Sequence, residues 1–409
     1  STPEMDTANK LREVPSQNIL TDPLGRIAPE FHIPKGMDQR VAFWFDIYTK
    51  HDGFTHVIHH VRYPWIIYEV IDTKPMIENS KGPLWLRRQR ADRHVKAERI
   101  RIQKTLRKLA SRKSYKGLKG DEKKFYNLLS SIKGSRKSVF RTAKDNVRSQ
   151  LGQKDFFVSG LRNSSKYLPY MEEEFTDLGV PIELTRMPFV ESSFNEKAVS
   201  KVGASGIWQI MPRTGKAYMK VSKTVDERNS PLKSTRTAGK LLRQYYKALK
   251  SWPLAVTAYN HGIGNIKKAI RAARSEDLPT IISKYHRGDF QFASSNFYAC
   301  VLASLHAEKY HDVLFPYVSR ERLLEREVVT LSATYRFNTL KKLLKLSTDD
   351  MVAYNQDLHV GAKHNPLLPK GFRLHLPPGI SEPLVMRVGT RQKSLERQAR
   401  EEKDSQKSI

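Results

Sequence analysis

One glutamate in the middle of the chain, Glu191, lies in a setting that could keep its carboxyl group protonated. The apolar run Met187 to Val190 precedes it, and Phe194 follows shortly after. Burial against apolar neighbours disfavours a carboxylate and raises its pKa, and a carboxylic acid that stays protonated near neutral pH can protonate a glycosidic oxygen. The alternative is that Glu191 caps a helix end or pairs with a cation there, which is the ordinary role of an isolated glutamate.

A second carboxylate is the usual further requirement for hydrolysis of a glycosidic bond. It lies about 5 to 5.5 Å from the acid in retaining enzymes and farther away in inverting ones. The nearby candidates are Glu196, Asp226 and Glu227. Glu196 lies in a polar turn, and DERNSP at 226–231 is typical of an acidic loop or helix start in which Arg228 pairs with a carboxylate. We therefore expect these three side chains to be structural or solvated.

Two segments downstream of Glu191 could build the rest of a site. GASGIWQIMP at 203–212 contains small residues, which permit a tight backbone turn close to a ligand. AYNHGIGN at 258–265 contains two glycines that can end a helix, and the tyrosine and asparagine before them could face a cleft. A glycine cluster alone would usually indicate only a turn, so the two segments become informative together.

With Ser200 nine residues after Glu191, these segments resemble the soluble lytic transglycosylase superfamily, and the long chain is similar to its membrane-bound D group. The resemblance implies a lysozyme-like catalytic fold and non-hydrolytic cleavage of the β-1,4 bond between N-acetylmuramic acid and N-acetylglucosamine in peptidoglycan. It makes Glu191 the single general acid and base. The acid protonates the glycosidic oxygen, and its carboxylate then takes the proton of the muramyl C6 hydroxyl. That hydroxyl closes on C1 and leaves a 1,6-anhydromuramic acid end, with no cofactor and no metal implied.

The resemblance also assigns substrate contacts around a sugar groove. By position these are Ser200, Gly206, Gln209, Met211, Tyr259, Asn260 and Tyr298. The amide of Gln209 can both donate and accept hydrogen bonds, and Met211 offers a soft apolar wall. Tyr259 and Asn260 would orient the muramyl acetamido group and the catalytic acid.

Two features depart from the family pattern. The later Glu-x-x-Asn-Tyr motif is replaced by FASSNFYACVLAS, which puts Ala293 at the glutamate and Phe297 at the tyrosine. Tyr298 is one residue farther along, about 100° round a helix, so it supplies the missing hydroxyl only if the register shifts. Trp208 departs from the Leu-Met-Gln pattern common in the superfamily, and it could stack on a sugar or pack under the loop.

The composition sets broader bounds. A chain of 409 residues predicts two or three domains, and a net charge of +30 predicts a polyanionic partner or surface. The single cysteine, Cys300, excludes an intramolecular disulfide and is expected to be a small buried side chain. No apolar run approaches the roughly 18 residues that a membrane-spanning helix needs.

Changes in composition divide the chain. We predict a mainly α protein with an N-terminal helical region, a lysozyme-like catalytic domain and a small C-terminal α+β module. The predicted parts are an extended arm at 1–40, a basic helical region at 41–155, the catalytic domain at 156–315, the C-terminal module at 326–380 and a polar tail at 391–409.

The C-terminal module is predicted to have a β-α-α-β order. EVVTL and FRLHL have strand character, and Ser347-Thr348-Asp349 indicates a helix start between them. With Asn355 near the end of the second helix, this order resembles a divergent LysM module. The resemblance implies a contact with glycans that contain N-acetylglucosamine; the alternative is a packing domain that binds no ligand.

The excess of positive charge is concentrated in one segment. Between Arg87 and Ser149 there are 22 Lys and Arg against 5 Asp and Glu, a balance of +17. Apolar residues recur there at helical spacing, which predicts helices with basic outer faces. Such faces could bind anionic wall polymers or a membrane surface, or could simply be solvated. No helix-turn-helix, zinc-finger or RNP pattern accompanies the charge, so a nucleic acid is not expected as the partner.

Alternatives to a lytic transglycosylase remain open on the sequence. One is a peptidoglycan-binding scaffold with little or no catalysis, which the alanine at position 293 and the extra basic region favour. The other is a hydrolytic muramidase of the lysozyme type. A periplasmic or cell-envelope location is expected. Because the sequence begins with Ser1, the lack of an export signal is only weak evidence against export. The sequence has no N-terminal cysteine, so either a lipid anchor has been cut away or this member is not lipidated.

Overall fold

The computed structural model describes residues 16–286 and 290–392. These residues form two compact units. The first unit contains the described chain up to Leu161 together with Gln244–Ser319, and the second contains Arg162–Arg243 together with the described chain from Arg320 onwards. The structure is mainly helical, as the sequence predicts.

The α-helices are numbered in chain order. They are α1 (Asp38–Thr49), α2 (Lys74–Glu78), α3 (Leu84–Ser111), α4 (Gly120–Leu128), α5 (Arg136–Lys144), α6 (Lys154–Ser164), α7 (Leu168–Asp177), α8 (Met187–Ser192), α9 (Pro212–Tyr218), α10 (Pro231–Leu249), α11 (Trp252–His261), α12 (Ile263–Ala273), α13 (Leu278–Lys284), α14 (Phe292–Lys309), α15 (His311–Leu314), α16 (Phe337–Leu344), α17 (Thr348–Tyr354) and α18 (Glu382–Val388).

The strands form small antiparallel sheets. They are β1 (Thr55–His60), β2 (Ile67–Asp72), β3 (Val147–Leu151), β4 (Glu327–Leu331), β5 (Tyr335–Arg336), β6 (Leu367–Leu368), β7 (Arg373–Leu376) and β8 (Gly389–Gln392). In the first unit the strand order is β2-β1-β3, and in the second unit the orders are β7-β4-β8 and β5-β6.

The predicted arm at 1–40 is packed, not extended, over its described part; its first 15 residues lie outside the described chain. It forms two short 3-10 helices, and the side chains of Ile19 and Phe31 are fully buried. The Asp22 carboxylate accepts a hydrogen bond of 2.6 Å from the Tyr310 hydroxyl. Ile19 and Phe31 belong to no helical or alternating pattern, yet their burial and the Asp22 hydrogen bond are enough to fix this segment to the first unit.

The basic region combines the predicted helices with a sheet that was not predicted. Along α3 the side chains of Val95, Ile102 and Leu106 are buried in one core with Phe125 of α4. Ile100 belongs to the predicted apolar pattern but is 39% exposed. In the sheet β2-β1-β3, β1 pairs with both β2 and β3, so strands from the two ends of the basic region lie side by side.

Helix α14 is the buried centre of the first unit. Its apolar run leaves almost no exposed face, and Asn296 is 1% exposed within it. The Asn296 amide oxygen accepts hydrogen bonds from Arg40 Nη1 at 2.8 Å and from Trp44 Nε1 at 3.0 Å, which connects α1 to α14. Cys300 is buried as predicted, and burial raises its thiol pKa to about 12.

The C-terminal part of the second unit has the predicted β-α-α-β order. Strand β4 pairs with β7, and α16 and α17 lie between them in the chain. The Ser347 hydroxyl accepts a hydrogen bond from the Asp350 N–H, which confirms the predicted helix start. Asn355 donates to the His375 carbonyl and accepts from the His375 N–H, both at 2.8 Å, so it joins the end of α17 to β7.

A third strand, β8, completes this sheet on the other edge of β4. This strand is not predictable from the sequence pattern, because its residues are mostly polar. Its last two residues fall in the segment predicted as a polar tail, and residues 393–409 of that tail lie outside the described chain. We call residues 326–392 the C-terminal module below.

Candidate active site

Glu191 lies on α8, a helix of six residues with a proline in its first turn. The helix ends because Ser193 and the following Phe194 both adopt left-handed backbone angles, φ 52° and φ 55°. The Phe194 side chain is fully buried, and its ring lies 4.8 Å from that of Phe189. The chain is thus turned sharply just after Glu191 and fixed there by apolar packing.

The surroundings of the Glu191 carboxyl group raise its pKa to about 8, and the cause is desolvation. The residue as a whole keeps some solvent exposure, but protein atoms surround the carboxyl group closely enough to disfavour its charge. In the chain described at 16–286 and 290–392, no cation pairs with this carboxyl group. Glu191 therefore has the raised pKa that its apolar flanks predict.

The glycine loop, residues 198–211, begins seven residues after Glu191 and is closed by its own backbone. Isolated β-bridges join Val199 to Ser205 and Ser205 to Ile210. The Ser192 hydroxyl donates to the Ile207 carbonyl at 2.8 Å. The loop and the end of α8 are therefore directly connected, one residue away from the acid.

An arginine outside the loop holds it in shape. Arg228 Nη1 donates to the Gly203 carbonyl at 2.7 Å and to the Ile210 carbonyl at 3.0 Å. The Ser205 hydroxyl donates to Asn229 Oδ1 at 2.6 Å. The sequence gives no indication of these roles for Arg228 and Asn229, because a hydrogen bond to a distant loop carbonyl produces no periodic pattern.

Gly206 is required where the loop meets the Arg228 backbone. Its φ is +78°, and a Cβ at this position would lie 1.9 Å from the Arg228 carbonyl oxygen. No side chain fits at that distance, so the close approach of the two backbones depends on glycine.

The other predicted contacts in the second unit lie on the same loop. The Ser200 hydroxyl accepts a hydrogen bond from the Ala204 N–H at 3.0 Å. Gln209 has φ 48°, and its Nε2 donates to the Ala198 and Gly206 carbonyls at 3.1 and 2.8 Å. The amide hydrogens of Gln209 thus stabilise the loop.

The loop also presents an apolar surface to solvent. Val199, Val202 and Met211 are 69%, 72% and 43% exposed. These three exposed apolar side chains lie within 13 residues of the sequence. Each is available to contact the apolar face of a sugar ring.

Trp208 packs beneath the loop. Its side chain is fully buried, its ring lies 5.6 Å from that of Phe175, and its Nε1 donates to Thr235 Oγ1 at 2.8 Å. Of the two roles predicted for Trp208, the structure shows packing.

Glu196, the first of the three nearby carboxylates, is structural as predicted. It accepts hydrogen bonds from Tyr167 Oη at 2.6 Å and Asn163 Nδ2 at 3.0 Å, and Lys166 Nζ lies at 3.2 Å. Desolvation favours its protonated form, but the Tyr167 hydrogen bond and the Lys166 charge outweigh it, so the pKa of Glu196 is lowered. The Glu196 carboxylate is therefore ionised, and its oxygens are occupied by these three partners.

Asp226 and Glu227 are structural as well. The Asp226 carboxylate accepts from Arg228 Nε at 2.9 Å and Nη2 at 2.7 Å, as the sequence predicts. Glu227 accepts from the Lys220 N–H at 2.8 Å and pairs with Lys233 at 3.4 Å. All three carboxylates thus serve the fold.

Tyr259, Asn260 and Tyr298 belong to the first unit. Tyr259 is partly buried and Asn260 is exposed at the end of α11. The Ser294 hydroxyl, on α14, lies 3.2 Å from Asn260 Oδ1 and 3.0 Å from His261 Nδ1. Ser294 is the residue after Ala293, and the sequence analysis did not predict this contact.

Tyr298 lies inside the first unit. Its side chain is 1% exposed, and burial raises its hydroxyl pKa. Within the described chain its hydroxyl has no hydrogen-bond partner. The substrate contact predicted for Tyr298 stays a prediction, and in this conformation the hydroxyl does not reach solvent.

The described residues contain no group of three or more His, Cys, Asp and Glu side chains that could hold a metal ion. None of the helices within 16–286 and 290–392 combines the length and the apolar composition that a membrane crossing needs.

Comparison with known proteins finds matches to the central segment. Residues 177–281 match the model of the transglycosylase SLT domain. The chain is 32% identical over 142 residues to membrane-bound lytic murein transglycosylase D of Escherichia coli strain K12, and equally to that of strain CFT073; this match covers 33% of the chain and 31% of each relative. An Alteromonas sp. (strain M-1) protein named for tributyltin chloride resistance is 35% identical over 117 residues, 28% of the chain and 56% of the relative. The matches thus span less than two thirds of each relative's length.

Proposed function

We propose that this chain, which carries a transglycosylase SLT domain at residues 177–281, is a peptidoglycan lytic transglycosylase. It would cleave the β-1,4 bond between N-acetylmuramic acid and N-acetylglucosamine and leave 1,6-anhydromuramic acid ends. The observation that carries the proposal is Glu191, an acid whose pKa burial raises to about 8, at the edge of the glycine loop inside the matched segment.

Glu191 performs both proton transfers in this mechanism. Protonated at neutral pH, it donates to the glycosidic oxygen as the bond to the muramyl C1 breaks. The resulting carboxylate takes the proton of the C6 hydroxyl, and the hydroxyl oxygen forms the new bond to C1. The proton returns to Glu191, so the acid is regenerated and no water is consumed.

The state of the other carboxylates supports a mechanism with one carboxylate. Glu196, Asp226 and Glu227 are each held by cations or hydrogen-bond donors of the fold, and none of them is left available as a base or nucleophile. A hydrolytic muramidase with a second catalytic carboxylate is less compatible with these contacts.

The glycine loop supplies the substrate contacts in this proposal. Met211, with Val199 and Val202, would contact the apolar face of a sugar ring, and the free lone pairs of Ser200 and Gln209 would accept hydrogen bonds from sugar hydroxyl or acetamido N–H groups. Gly206 allows the backbone to approach. Tyr259 and Asn260, which the family resemblance assigns to the substrate, are also proposed contacts, whereas the Tyr298 hydroxyl is buried in this conformation and would not reach a sugar.

A cell-envelope location, in the periplasm, follows from a peptidoglycan substrate. The basic helices over residues 87–149 would add an electrostatic contact with anionic wall polymers or a membrane surface. Many of their cations lie on exposed positions, for example Arg88, Arg93 and Lys96. A neutral glycan backbone would not need such a surface, whereas wall carboxylates and phosphates would be attracted by it.

Product analysis tests the proposed activity. Purified peptidoglycan sacculi are digested with the protein, and the released fragments are identified by mass spectrometry. Anhydromuramic acid ends are expected. Reducing muramic acid ends would establish a hydrolytic muramidase, and the absence of any soluble fragment would establish a peptidoglycan-binding scaffold.

A further inference from the structure

The segment that holds the glycine loop is itself held by the C-terminal module. This segment, residues 224–233, contains Arg228 and Asn229, whose contacts with the loop are described above. Three kinds of contact join it to the module: a shared backbone hydrogen bond, a buried ion pair and a shared apolar core. All of them lie within the second unit.

The backbone contact is made at the start of the segment. The Asp226 N–H donates to the Asp357 carbonyl at 2.9 Å. Nearby, Gly361 of the module passes so close to Thr224 that a Cβ on Gly361 would lie 1.8 Å from the Thr224 carbonyl oxygen. The two backbones are therefore in direct contact, with no room for an intervening side chain.

The ion pair is formed by Lys233 and Asp357. Lys233 Nζ lies 2.6 Å from Asp357 Oδ2, and their side chains are only 9% and 1% exposed. The ammonium group also lies 3.9 Å from the centre of the Phe372 ring and 3.4 Å from Glu227 Oε1. A buried charge is costly without its partner, so the pair holds the segment and the module in one arrangement.

The apolar contact places a residue of the segment inside the module. Val225 is 1% exposed and belongs to the core formed by module residues such as Val329, Leu358 and Phe372. Its removal from this core would expose apolar surface on both sides. The apolar core, the backbone hydrogen bond and the ion pair thus all join residues 224–233 to the module.

We propose that Asp357 and Lys233 are positioning residues for the glycine loop, and that the C-terminal module is a structural part of the catalytic unit. Asp357 of the module contacts Lys233 and Asp226 of the segment. Arg228 of the same segment then binds the loop carbonyls. The inference rests on the proposed function only in so far as the loop binds glycan. The contacts between the module and the loop segment are a property of the fold and do not depend on any activity.

Amide hydrogen exchange tests the link without reference to any activity. The Ser205 and Ile210 amides form hydrogen bonds that close the loop. Asp357→Asn should speed their exchange at least about tenfold relative to the wild-type chain, because the loop opens more often. The matched control is Glu327→Gln, which removes an ion pair with Arg391 inside the module and should leave these amides within about twofold.

Glycan binding is the second measurement. In the Glu191→Gln background, the dissociation constant of a tetrasaccharide of alternating N-acetylglucosamine and N-acetylmuramic acid is measured by calorimetry. Asp357→Asn should raise it about tenfold, since misplacement of a site by about 1 Å has large effects, whereas Glu327→Gln should not. Phe372→Leu keeps both charges and serves as the milder second variant if Asp357→Asn folds poorly; a threefold effect in both measurements is expected.

Wild-type exchange and wild-type affinity in both Asp357→Asn and Phe372→Leu would overturn the inference. Equal effects of Glu327→Gln would also overturn it, since general loss of stability would then explain them. If the Glu191→Gln chain binds no tetrasaccharide at all, the proposed function fails, while the exchange measurement still decides whether the module positions the loop.

Discussion

Gly206 and Arg228 lie so close together that a methyl group on Gly206 would overlap the Arg228 carbonyl oxygen, at 1.9 Å. The same arginine donates from its side chain to two carbonyls of the glycine loop. The Arg228 side chain therefore binds the loop while its backbone lies against Gly206, and this close approach is possible because residue 206 is a glycine.

Gly206→Ala should lower the free energy of unfolding by about 3 kcal/mol, from the left-handed backbone and the overlap together. Urea denaturation measures the change. The control is Gly117→Ala, at φ +69° with no atom within 4 Å, which should cost only the backbone strain of about 1 kcal/mol. Equal costs at the two positions would show that the overlap relaxes freely and that the loop does not depend on glycine at 206.

Glu191→Gln should abolish release of soluble fragments from sacculi, since the amide cannot donate and retrieve a proton as a carboxyl group does. Glycan binding should persist. The control is Glu196→Gln, which loses the Tyr167 and Lys166 contacts and should lower stability by about 1 to 2 kcal/mol while retaining turnover. A Glu191→Gln chain with substantial activity would remove Glu191 from the mechanism.

The pH dependence of stability should carry the signature of Glu191. The folded chain keeps this proton up to about pH 8, whereas an unfolded glutamate loses it near 4.5. Between these values the folded state binds more protons, so the free energy of unfolding falls as pH rises, by up to about 1.4 kcal/mol per pH unit. The contribution is fully present below pH 4.5 and lost above pH 8.

Glu191→Gln removes this slope, so its stability relative to the wild type should increase steadily over the same interval. Denaturation of both chains from pH 4 to 9 measures the difference, and a difference independent of pH would show that the Glu191 pKa is not raised. Turnover by the wild type should decline as pH rises through about 8, since the acid form is then depleted.

Trp208→Phe should lower stability by about 2 kcal/mol, because it removes the hydrogen bond to Thr235 and leaves a small cavity. The dissociation constant for glycan should stay within about twofold, since the indole packs beneath the loop. Trp85→Phe, at a site 67% exposed, is the control and should change stability by less than about 0.5 kcal/mol. Loss of glycan affinity without loss of stability would instead indicate stacking on sugar.

Replacement of Arg88, Arg93 and Lys96 by glutamine in one triple variant should reduce the fraction of the protein that sediments with sacculi at low salt. The effect should fade above roughly 0.15 M salt, where exposed charges are screened beyond about 8 Å. The control neutralises Lys267, Lys268 and Arg271, three exposed cations on α12, for the same change in net charge. Equal effects of the two triple variants would mean that total charge, not the basic helices, determines retention on the wall.

Local chemistry made part of this site predictable. The apolar flanks of Glu191 predict a protonated acid, and its pKa is raised as expected. Ser347 predicts a helix start because its hydroxyl can accept from a backbone N–H three residues on, and it does so. In both cases the residues that decide the outcome are close in sequence.

The remainder depends on contacts between distant residues. Lys233 and Asp357 are 124 residues apart, and neither stands out in a helical pattern. Strand β3 is largely polar and pairs with β1, which lies about 90 residues earlier in the chain, so neither alternation nor composition predicts that pairing. Ser294 reaches Asn260 only because α11 and α14 are neighbours in the first unit.

The position of Val225 inside the core of the C-terminal module bears on how this chain can be divided experimentally. A truncation before residue 326 would remove the core around Val225. Of the carboxylates that pair with Lys233 in the described chain, only Glu227 would be left. Loss of glycan binding in such a fragment would then report damage to the segment that holds the glycine loop, not loss of a separate targeting domain.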